Sequence, residues 1–375
     1  MNHRRELLKS IGASAVVASL SSCSPAPAPR TEIPRAYSRN AWVVPRIGMD
    51  KVIRSIVGHR PYRPSGFVVR GERFDEKLVV HNYGHGGGGL SLSWGSSALA
   101  VRETLGMQPS DAAVIGSGIM GLTSARLLQD AGWNVTIYTR AVARHTTSNV
   151  AAGEWSPFSV YDPAVATAET KARLNWAARV AHHAFTNLTG RDYGIRWLET
   201  YTRSDSPFTD ANPEGDLADL FSYSAILEPE QHPFSSPYVR RVVTMQIDPG
   251  VLLRRLTQDF QLAGGDIVIR NFASTSEVLS LRQPVIFNCT GLGAAELFGD
   301  DELTPVKGQL VFLPPDSGID YMTFGGGEGL LYMFPRSDVL LLGGTFKEGD
   351  SSTHVEPDET ERIVVEHQKS FAEFG

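Results

Sequence analysis

Apolar runs alternate with glycine-rich turns in the middle of the chain. The run at 112–115 is short enough for a buried parallel strand, and the sequence GSGIMG at 116–121 follows it directly. Apolar side chains then recur at helical spacing over 122–131, up to a stop at Gly132. The β-branched run at 134–138 predicts a second strand. The pattern therefore predicts a βαβ unit.

Later segments predict more strands. The runs 266–270 and 285–288 are strand-like, and 330–334 with 339–343 predict an antiparallel hairpin around a polar turn. Residues 161–245 are richer in aromatic side chains and predict a mixed lobe that covers a substrate. We therefore expect an α/β fold: a Rossmann-like dinucleotide-binding lobe and an α+β lobe with a mixed or antiparallel sheet.

Composition narrows the class of protein. The chain has 375 residues, a net charge of −6 and 42% hydrophobic residues, as in a soluble globular protein. No run of Lys or Arg occurs after the N-terminus, which disfavours a nucleic-acid partner. Its two cysteines, Cys23 and Cys289, do not make a disulfide framework. Cys289 ends an apolar run, which predicts a small core residue.

The N-terminus indicates export. Residues 1–22 combine Arg4-Arg5, a short apolar run and small residues, which predicts a signal peptide. The arginine pair resembles a twin-arginine signal, and the residues before Cys23 resemble a bacterial lipobox; the alternative is that Cys23 is incidental. The Pro-rich residues 23–45 predict a spacer. We expect a periplasmic protein or a lipoprotein tethered to a bacterial membrane through Cys23.

The glycine loop has the chemistry of a dinucleotide site. Gly116 allows the turn, Gly118 lets the backbone N–H groups of Ser117 and Ile119 approach a pyrophosphate, and Gly121 lets helix and strand pack closely. The positive end of the helix dipole favours the phosphates.

The second strand departs from the usual fingerprint. It ends in Thr139-Arg140, where an acidic residue usually binds the adenosine ribose. Arg140 could contact a phosphate instead. This stretch by itself therefore leaves NADP open as well as FAD and NAD.

Four segments together resemble the D-amino-acid oxidase family of FAD enzymes. The resemblance covers roughly residues 46–350, and its most specific part is the pair of motifs RPYRP and HNYGHGGGGL. The segments are GSGIMG at 116–121; TTSNVAAGEW at 146–155; NCTG at 288–291 with KGQ at 307–309; and RPYRP at 60–64 with HNYGHGGGGL at 81–90 and Trp94-Gly95.

The order of these segments differs from that of the family. In the family, RPxRP and HNYGHGG lie near the C-terminus, whereas here they precede the βαβ unit. We interpret the chain as circularly permuted: residues 46–105 correspond to the family's last stretch, and 106–111 join its old C-terminus to its old N-terminus. The new end then falls after Phe346, where 359–371 predicts an amphipathic helix.

The resemblance implies three residues that hold the substrate. Arg60 would grip the substrate carboxylate with its planar guanidinium, Tyr332 would add a hydroxyl hydrogen bond, and the Gly87 carbonyl would accept from the amine. The family's second active-site tyrosine corresponds to Glu328, which leaves the substrate range open; Tyr321 is the alternative for that place.

The resemblance also implies a set of FAD contacts. The glycine-rich segment would lie along the flavin ring, and glycine is required there because a side chain would strike the ring. The remaining contacts are to the pyrophosphate, the ribityl chain and the adenine. The residues are Gly86, Gly89, Leu90 and Ser91 for the ring, Thr147, Ser148 and Gly153 for the pyrophosphate and ribityl chain, and Phe272 for the adenine.

Residues 46–375 are expected to form a single flavoenzyme with two lobes. The assigned FAD lobe comprises about 78–160 and 246–300, and the substrate lobe about 46–77, 161–245 and 301–350. No metal site is expected, since His81 and His85 lie in a glycine loop without an acidic cluster.

The function implied by the resemblance is oxidative deamination of D-amino acids. A hydride leaves the substrate Cα for the flavin, and the products are an imino acid that hydrolyses to a 2-oxo acid, ammonia and, with O₂ as acceptor, H₂O₂. The alternatives are a dehydrogenase that passes electrons to a quinone or carrier, an inactive D-amino-acid-binding protein, and an NADP enzyme.

Overall fold

The computed structural model describes residues 42–142, 145–208, 215–327 and 329–371. The predicted signal peptide, Cys23 and most of the Pro-rich segment lie outside these ranges, as does Glu328.

Within these ranges the chain forms two sheets with helices around them. The strands are β1 Arg54–Tyr62, β2 Val68–Phe74, β3 Lys77–Tyr83, β4 Asp111–Ile115, β5 Asn134–Thr139, β6 Ile195–Ser204, β7 Ser222–Leu227, β8 Tyr238–Ile247, β9 Asp266–Ile269, β10 Val285–Asn288, β11 Thr304–Leu313, β12 Tyr321–Gly325, β13 Tyr332–Pro335, β14 Leu340–Gly343 and β15 Lys347–Glu348. The helices are α1 Gly89–Arg102, α2 Ile119–Asp130, α3 Thr147–Val150, α4 Ala168–Asn187, α5 Pro249–Leu262, α6 Thr275–Leu279, α7 Gly293–Phe298 and α8 Pro357–Phe371.

One sheet, here called the parallel sheet, has the strand order β2-β3-β10-β4-β5-β9. The predicted βαβ unit is confirmed as β4, α2 and β5, with β4 and β5 parallel. Its central strands are buried on both faces, which is why they are continuous apolar runs. Cys289 follows β10 as a buried core thiol, as predicted, and burial raises its pKa to about 12.

The other sheet, here called the mixed sheet, has the order β1-β11-β14-β13-β12-β6-β8-β7, with β15 beside β11. The predicted hairpin is confirmed, because β13 and β14 pair antiparallel from Tyr332 opposite Gly343 to Pro335 opposite Leu340. Helix α8 covers one face of this sheet through buried residues such as Ile363. The opposite face carries Phe324 and Phe334, which line the same cavity as residues at the ends of the parallel strands.

The segment before the βαβ unit supplies strands to both sheets. Strand β1 pairs antiparallel with β11, and β3 pairs parallel with β10. Our assignment of residues 46–77 to the substrate lobe is therefore wrong for β2, which pairs with β3 in the parallel sheet. The reason is local: β2 and β3 form a hairpin with a two-residue turn at Asp75 and Glu76, so both must join the same sheet.

The predicted amphipathic C-terminal helix is confirmed as α8. Its start is held by Gln309, whose side chain accepts from the Glu356 N–H at 2.7 Å and donates to the Glu356 carbonyl at 2.8 Å. Near its end, Gln368 donates to the Ile47 carbonyl at 3.0 Å. The end of α8 and the segment that leads into β1 are thus neighbours. Of the helices in the described ranges, none is both long and apolar enough to cross a bilayer.

Candidate active site

A cavity of about 1150 Å³ opens between the carboxyl ends of the parallel strands and one face of the mixed sheet. Typical small-molecule pockets measure about 300–1,000 Å³. The cavity therefore has room for a large cofactor together with a small substrate. The carboxyl edge of a parallel sheet is also where doubly wound folds bind their ligands.

Most of the predicted site residues meet at this cavity. They come from segments that are far apart in sequence. The predicted residues that line it are Arg60, Gly86, Gly87, Gly89, Leu90, Gly116, Ser117, Gly118, Ile119, Arg140, Thr147, Ser148, Phe272 and Tyr332.

The glycine loop forms a cradle at the start of α2. Gly116 has a φ of +108°, and a Cβ there would lie 2.5 Å from the Cys289 carbonyl oxygen. Gly118 is the extended N-cap of α2 and provides no side-chain cap, which leaves the helix end suited to an anion. Gly121 does not line the cavity; a Cβ there would lie 1.9 Å from the Gly116 oxygen, so it serves packing and not direct cofactor contact. These positions fit a dinucleotide pyrophosphate.

The segment 147–148 lies against this cradle. The Ser148 hydroxyl accepts from the backbone N–H of Ile119 at 3.0 Å. The Ser117 hydroxyl donates to the Ala141 carbonyl at 2.8 Å, which ties the glycine loop to the end of β5. The structure thus brings together the two segments that the sequence predicts to touch a pyrophosphate.

Two predicted flavin contacts do not reach the cavity. A Cβ on Gly153, whose φ is +105°, would lie 2.0 Å from the Ile247 carbonyl oxygen, so this glycine permits close backbone packing. The Ser91 hydroxyl donates to the Ser156 carbonyl at 3.0 Å and accepts from its N–H at 2.9 Å. Both residues position the cavity wall and do not form part of its surface.

The glycines at 86–87 meet protein backbone. A Cβ on Gly86, whose φ is +53°, would lie 2.2 Å from the Ser159 carbonyl oxygen, and one on Gly87 would lie 2.8 Å from that of Phe158. We had expected a side chain here to strike the flavin; the structure shows that it would first strike the segment 158–159. The missing side chains therefore let two loops pack together.

Arg60 lies on β1 with its guanidinium over Gly308 of the neighbouring strand. A Cβ on Gly308 would lie 2.8 Å from the Arg60 Nη1, so only glycine leaves room for this side chain. The Arg60 Nη2 donates to the Tyr332 hydroxyl at 3.4 Å. Its buried Nη1 has no hydrogen-bond partner among the described residues. A buried, unsatisfied charged donor at a cavity wall favours an anionic ligand.

Gly343 makes room for the Tyr332 ring, as Gly308 does for the Arg60 guanidinium. A Cβ on Gly343 would lie 2.0 Å from the Tyr332 Cζ. Burial raises the pKa of the Tyr332 hydroxyl, so it stays protonated and able to donate at neutral pH. Gly308 and Gly343 are glycines within apolar strands, a sequence pattern that indicates close approach of another group to the backbone.

Tyr321 does not occupy the place of a second active-site tyrosine. It is fully buried, and its hydroxyl donates to the Val43 carbonyl at 2.8 Å. Strand pairing sets this outcome, because Phe324 is the residue of β12 opposite Tyr332. Phe324, and not Tyr321, lines the cavity.

Other residues that line the cavity were not predicted from the sequence. They are polar, charged or aromatic side chains whose position depends on strand pairing or on a distant loop. They include Glu154, Thr200, Thr202, Arg240, Phe324 and Phe346.

The two histidines of the HNYGHGG segment are hydrogen-bonded within the protein. The His81 Nε2 lies 3.2 Å from a Glu72 carboxylate oxygen, and the His85 Nε2 lies 2.6 Å from the Ser96 hydroxyl. In the described part of the chain, no group of three or more His, Cys, Asp or Glu residues is placed to hold a metal. Both histidines therefore have structural partners.

The burial of His85 predicts acid sensitivity. Burial lowers its pKa to about 3, below the unfolded value of about 6.5. The stabilisation from neutral His85 is therefore complete above pH 6.5 and is lost as the pH falls towards 3, by about 1.4 kcal/mol per pH unit. Urea unfolding of the holoprotein between pH 7.5 and 4 measures this slope.

The matched variant is His85→Gln, which can still hydrogen-bond to Ser96 but does not titrate. Its free energy of unfolding should fall less steeply below pH 6.5, by about 1.4 kcal/mol per pH unit. Carboxylates contribute equally to both proteins and cancel. Identical slopes for the two proteins would show that His85 does not titrate in this range.

The fold and the cavity together define a dinucleotide-binding oxidoreductase. The model of the FAD dependent oxidoreductase family, DAO, matches residues 111–373. The chain is 31% identical to the D-amino-acid oxidase of Streptomyces coelicolor over 256 residues, which cover 67% of this chain and 74% of that protein. It is 26% identical to the D-amino acid oxidase of Dugesia ryukyuensis over 261 residues, which cover 67% and 75% of the two chains.

A solved structure shares the fold. The glycine oxidase of Geobacillus kaustophilus superposes with a TM-score of 0.51 and 17% identity, over 71% of this chain and 80% of that one. The chain belongs to the DAO family of FAD-dependent oxidoreductases. Its cofactor is FAD, which removes the NADP alternative left open by Arg140.

Proposed function

We propose that the protein catalyses the oxidative deamination of D-amino acids. The observation that carries the proposal is the pairing of Arg60 with Tyr332 at the wall of the cavity that also contains the glycine loop. The Arg60 guanidinium, whose buried Nη1 has no partner among the residues that the structure describes, and the protonated Tyr332 hydroxyl match the two oxygens of an amino-acid carboxylate. Two relatives that are D-amino-acid oxidases support the choice of enantiomer.

The protein's own residues act by position. Arg60 and Tyr332 fix the substrate carboxylate, and the Gly87 carbonyl accepts from the substrate amine, so that the Cα–H bond is aligned. FAD supplies the acceptor for the hydride that leaves Cα. The substrate nitrogen loses a proton as the C=N bond forms, and water then hydrolyses the imino acid to a 2-oxo acid and ammonia.

Anaerobic mixing tests this function. The purified yellow protein is mixed with D-amino acids, their L-enantiomers and glycine, and the visible flavin absorbance is followed. We expect bleaching by D-enantiomers and none by L-enantiomers. Bleaching by no amino acid would identify a binding protein instead, and bleaching by L-enantiomers alone would refute the stereochemical assignment.

For the electron acceptor we propose O₂, which is reduced to H₂O₂ as two electrons and two protons leave the substrate. Turnover in air should release one H₂O₂ per 2-oxo acid. Turnover that needs an added quinone or dye, with little peroxide, would instead identify the dehydrogenase alternative.

We also propose that the chain is a circular permutation of the family's order. The family model begins at residue 111, the first residue of β4, yet β1 and β3 from the preceding segment complete both sheets. The end of α8 lies beside the segment that leads into β1, through the bond from Gln368 to Ile47. A reordered chain in which 111–371 precede 42–105 should therefore fold and retain FAD; failure of that chain to fold would contradict the proposal.

The N-terminal pattern supports a further proposal on location. Residues 1–22 direct export, and a lipid on Cys23 tethers the enzyme to a membrane surface through the Pro-rich spacer. Cell fractionation and the mass of the mature N-terminus test this. An exported protein with an unmodified Cys23 would support the signal peptide but refute the lipid tether.

A further inference from the structure

The two edge strands of the parallel sheet differ in how they meet solvent. Strand β2, at one edge, carries the charged side chains of Arg70, Glu72 and Arg73. The backbone N–H of Gly71 in the same strand donates to the carboxylate of Glu103, a residue that follows α1, at 3.1 Å. Charged side chains and covered backbone groups are the usual means by which proteins protect an edge strand from pairing with another chain. This edge is therefore protected.

Strand β9, at the other edge, lacks this protection. Its Val268 and Ile269 side chains are 40% and 62% exposed. The backbone N–H of Arg270 donates to the Thr139 carbonyl of β5 at 2.9 Å. Because successive residues direct their backbone groups to alternate sides of a strand, those of Ile267 and Ile269 point away from the sheet. In the described part of the chain β9 pairs with β5 alone, so these outward groups have no strand beside them.

The sequence of this edge, DIVIR at 266–270, is complementary to itself in an antiparallel pair. With Val268 on a two-fold axis, Ile267 lies opposite the partner's Ile269. Both residues direct their backbone groups outward, so each such pair can exchange both of its N–H···O bonds. Asp266 then lies opposite the partner's Arg270, on the face of the strand that carries Val268. A shifted register would leave an outward residue without its match and would separate the two charges.

The two charged groups are available for this contact. Asp266 is exposed, and neither Asp266 nor Arg270 has an ion-pair partner among the described residues. The Arg270 Cζ lies 4.5 Å from the centre of the Phe272 ring, a cation–π contact that leaves the N–H groups free to donate to a carboxylate. Directly opposed residues of an antiparallel pair have Cβ atoms about 4.5–5.5 Å apart, which is within reach of an ion pair.

We infer that two copies of the chain form a two-fold symmetric dimer through β9, which joins their parallel sheets into one continuous sheet. An antiparallel strand beside an otherwise parallel sheet is a common arrangement. The pairing satisfies the outward backbone groups, covers Val268 and Ile269, and forms the Asp266–Arg270 ion pair twice. Because the same strand serves both copies, the contact closes at two chains and does not propagate.

Sedimentation velocity of the FAD-loaded protein over a wide range of concentrations tests the inference. We expect a dimer for the wild type. Asp266→Lys makes both symmetric ion pairs repulsive, so the dimer dissociation constant should rise by at least about 10-fold. In the double variant Asp266→Lys/Arg270→Glu each pair is restored with its signs exchanged, and most of the affinity should return. The matched control is Glu76→Lys, the same kind of charge reversal at an exposed residue of the turn at the protected edge, and it should leave the dimer unchanged.

A second variant acts on the backbone and not on charge. Ile269→Pro removes an outward N–H and places a ring where the second copy would pair, while the bond from Arg270 to β5 can remain. It should yield a monomer that still contains FAD, as its visible spectrum reports. This variant decides the matter if Asp266→Lys does not fold.

Three outcomes would count against the dimer. A wild-type protein that is monomeric throughout, whether β9 stays free or pairs with another segment of its own chain, overturns the inference. A dimer that is equally stable in Asp266→Lys and Ile269→Pro must use another surface and overturns it as well. A double variant that contains FAD but does not recover the dimer contradicts the register centred on Val268.

Discussion

Arg60→Ala should retain FAD and lose about 1,000-fold in kcat/KM for its D-amino-acid substrates. The physical reason is that the Arg60 Nη2 bonds to the Tyr332 hydroxyl, while its buried Nη1 has no hydrogen-bond partner in the described part of the chain. Loss of such a partner leaves the substrate carboxylate desolvated and unpaired, at a cost of about 4 kcal/mol. Steady-state kinetics measures the loss, and the visible spectrum of the purified variant reports bound FAD.

Two companion variants show whether geometry or charge is at work. Arg60→Lys keeps the charge but cannot bind the carboxylate with two parallel N–H groups, so it should recover only part of the activity. Gly308→Ala keeps Arg60 but places a methyl 2.8 Å from its Nη1, which displaces the guanidinium. It should raise KM with FAD still bound. Normal turnover at low substrate in Arg60→Ala would refute the carboxylate site.

Gly121→Ala should weaken FAD binding by about 100-fold. The added Cβ would lie 1.9 Å from the Gly116 carbonyl oxygen, which is backbone and cannot rotate away. Helix α2 must then move off β4 and carry the cradle at its N-terminus with it. Overpacking of this kind costs about 1–3 kcal/mol, and 2.8 kcal/mol is the equivalent of 100-fold. Fluorescence titration of apoprotein with FAD measures the change.

The control for Gly121 is Gly250→Ala, another glycine in the first turn of a helix. A Cβ there would meet nothing closer than 3.5 Å, so FAD affinity should remain that of the wild type. Far-UV circular dichroism separates loss of the cofactor from loss of the fold. A Gly121→Ala protein that binds FAD as tightly as the wild type would show that α2 and β4 can adjust without disturbing the cradle.

Local patterns were sufficient for the elements that depend on neighbours in sequence. The βαβ unit, the β13–β14 hairpin and α8 are all present, because each has a characteristic period or turn within some 30 residues. The lobe boundary at residue 77 was misplaced, because assignment of β2 requires knowledge of which strand β3 joins. Tyr321 was the alternative candidate for the second tyrosine because the sequence does not show which face of β12 lines the cavity; its hydroxyl bonds to the Val43 carbonyl instead.

The sequence by itself determined the class of cofactor loop, the family and the identity of Arg60 as a candidate. It could do so because these features are carried by contiguous motifs with fixed spacing. Only the tertiary structure decided that Arg60 meets Tyr332, 272 positions away, and that Gly308 and Gly343 make room for their side chains. Only strand register set Phe324 opposite Tyr332, because a shift by one residue would have turned it to the opposite face of the sheet.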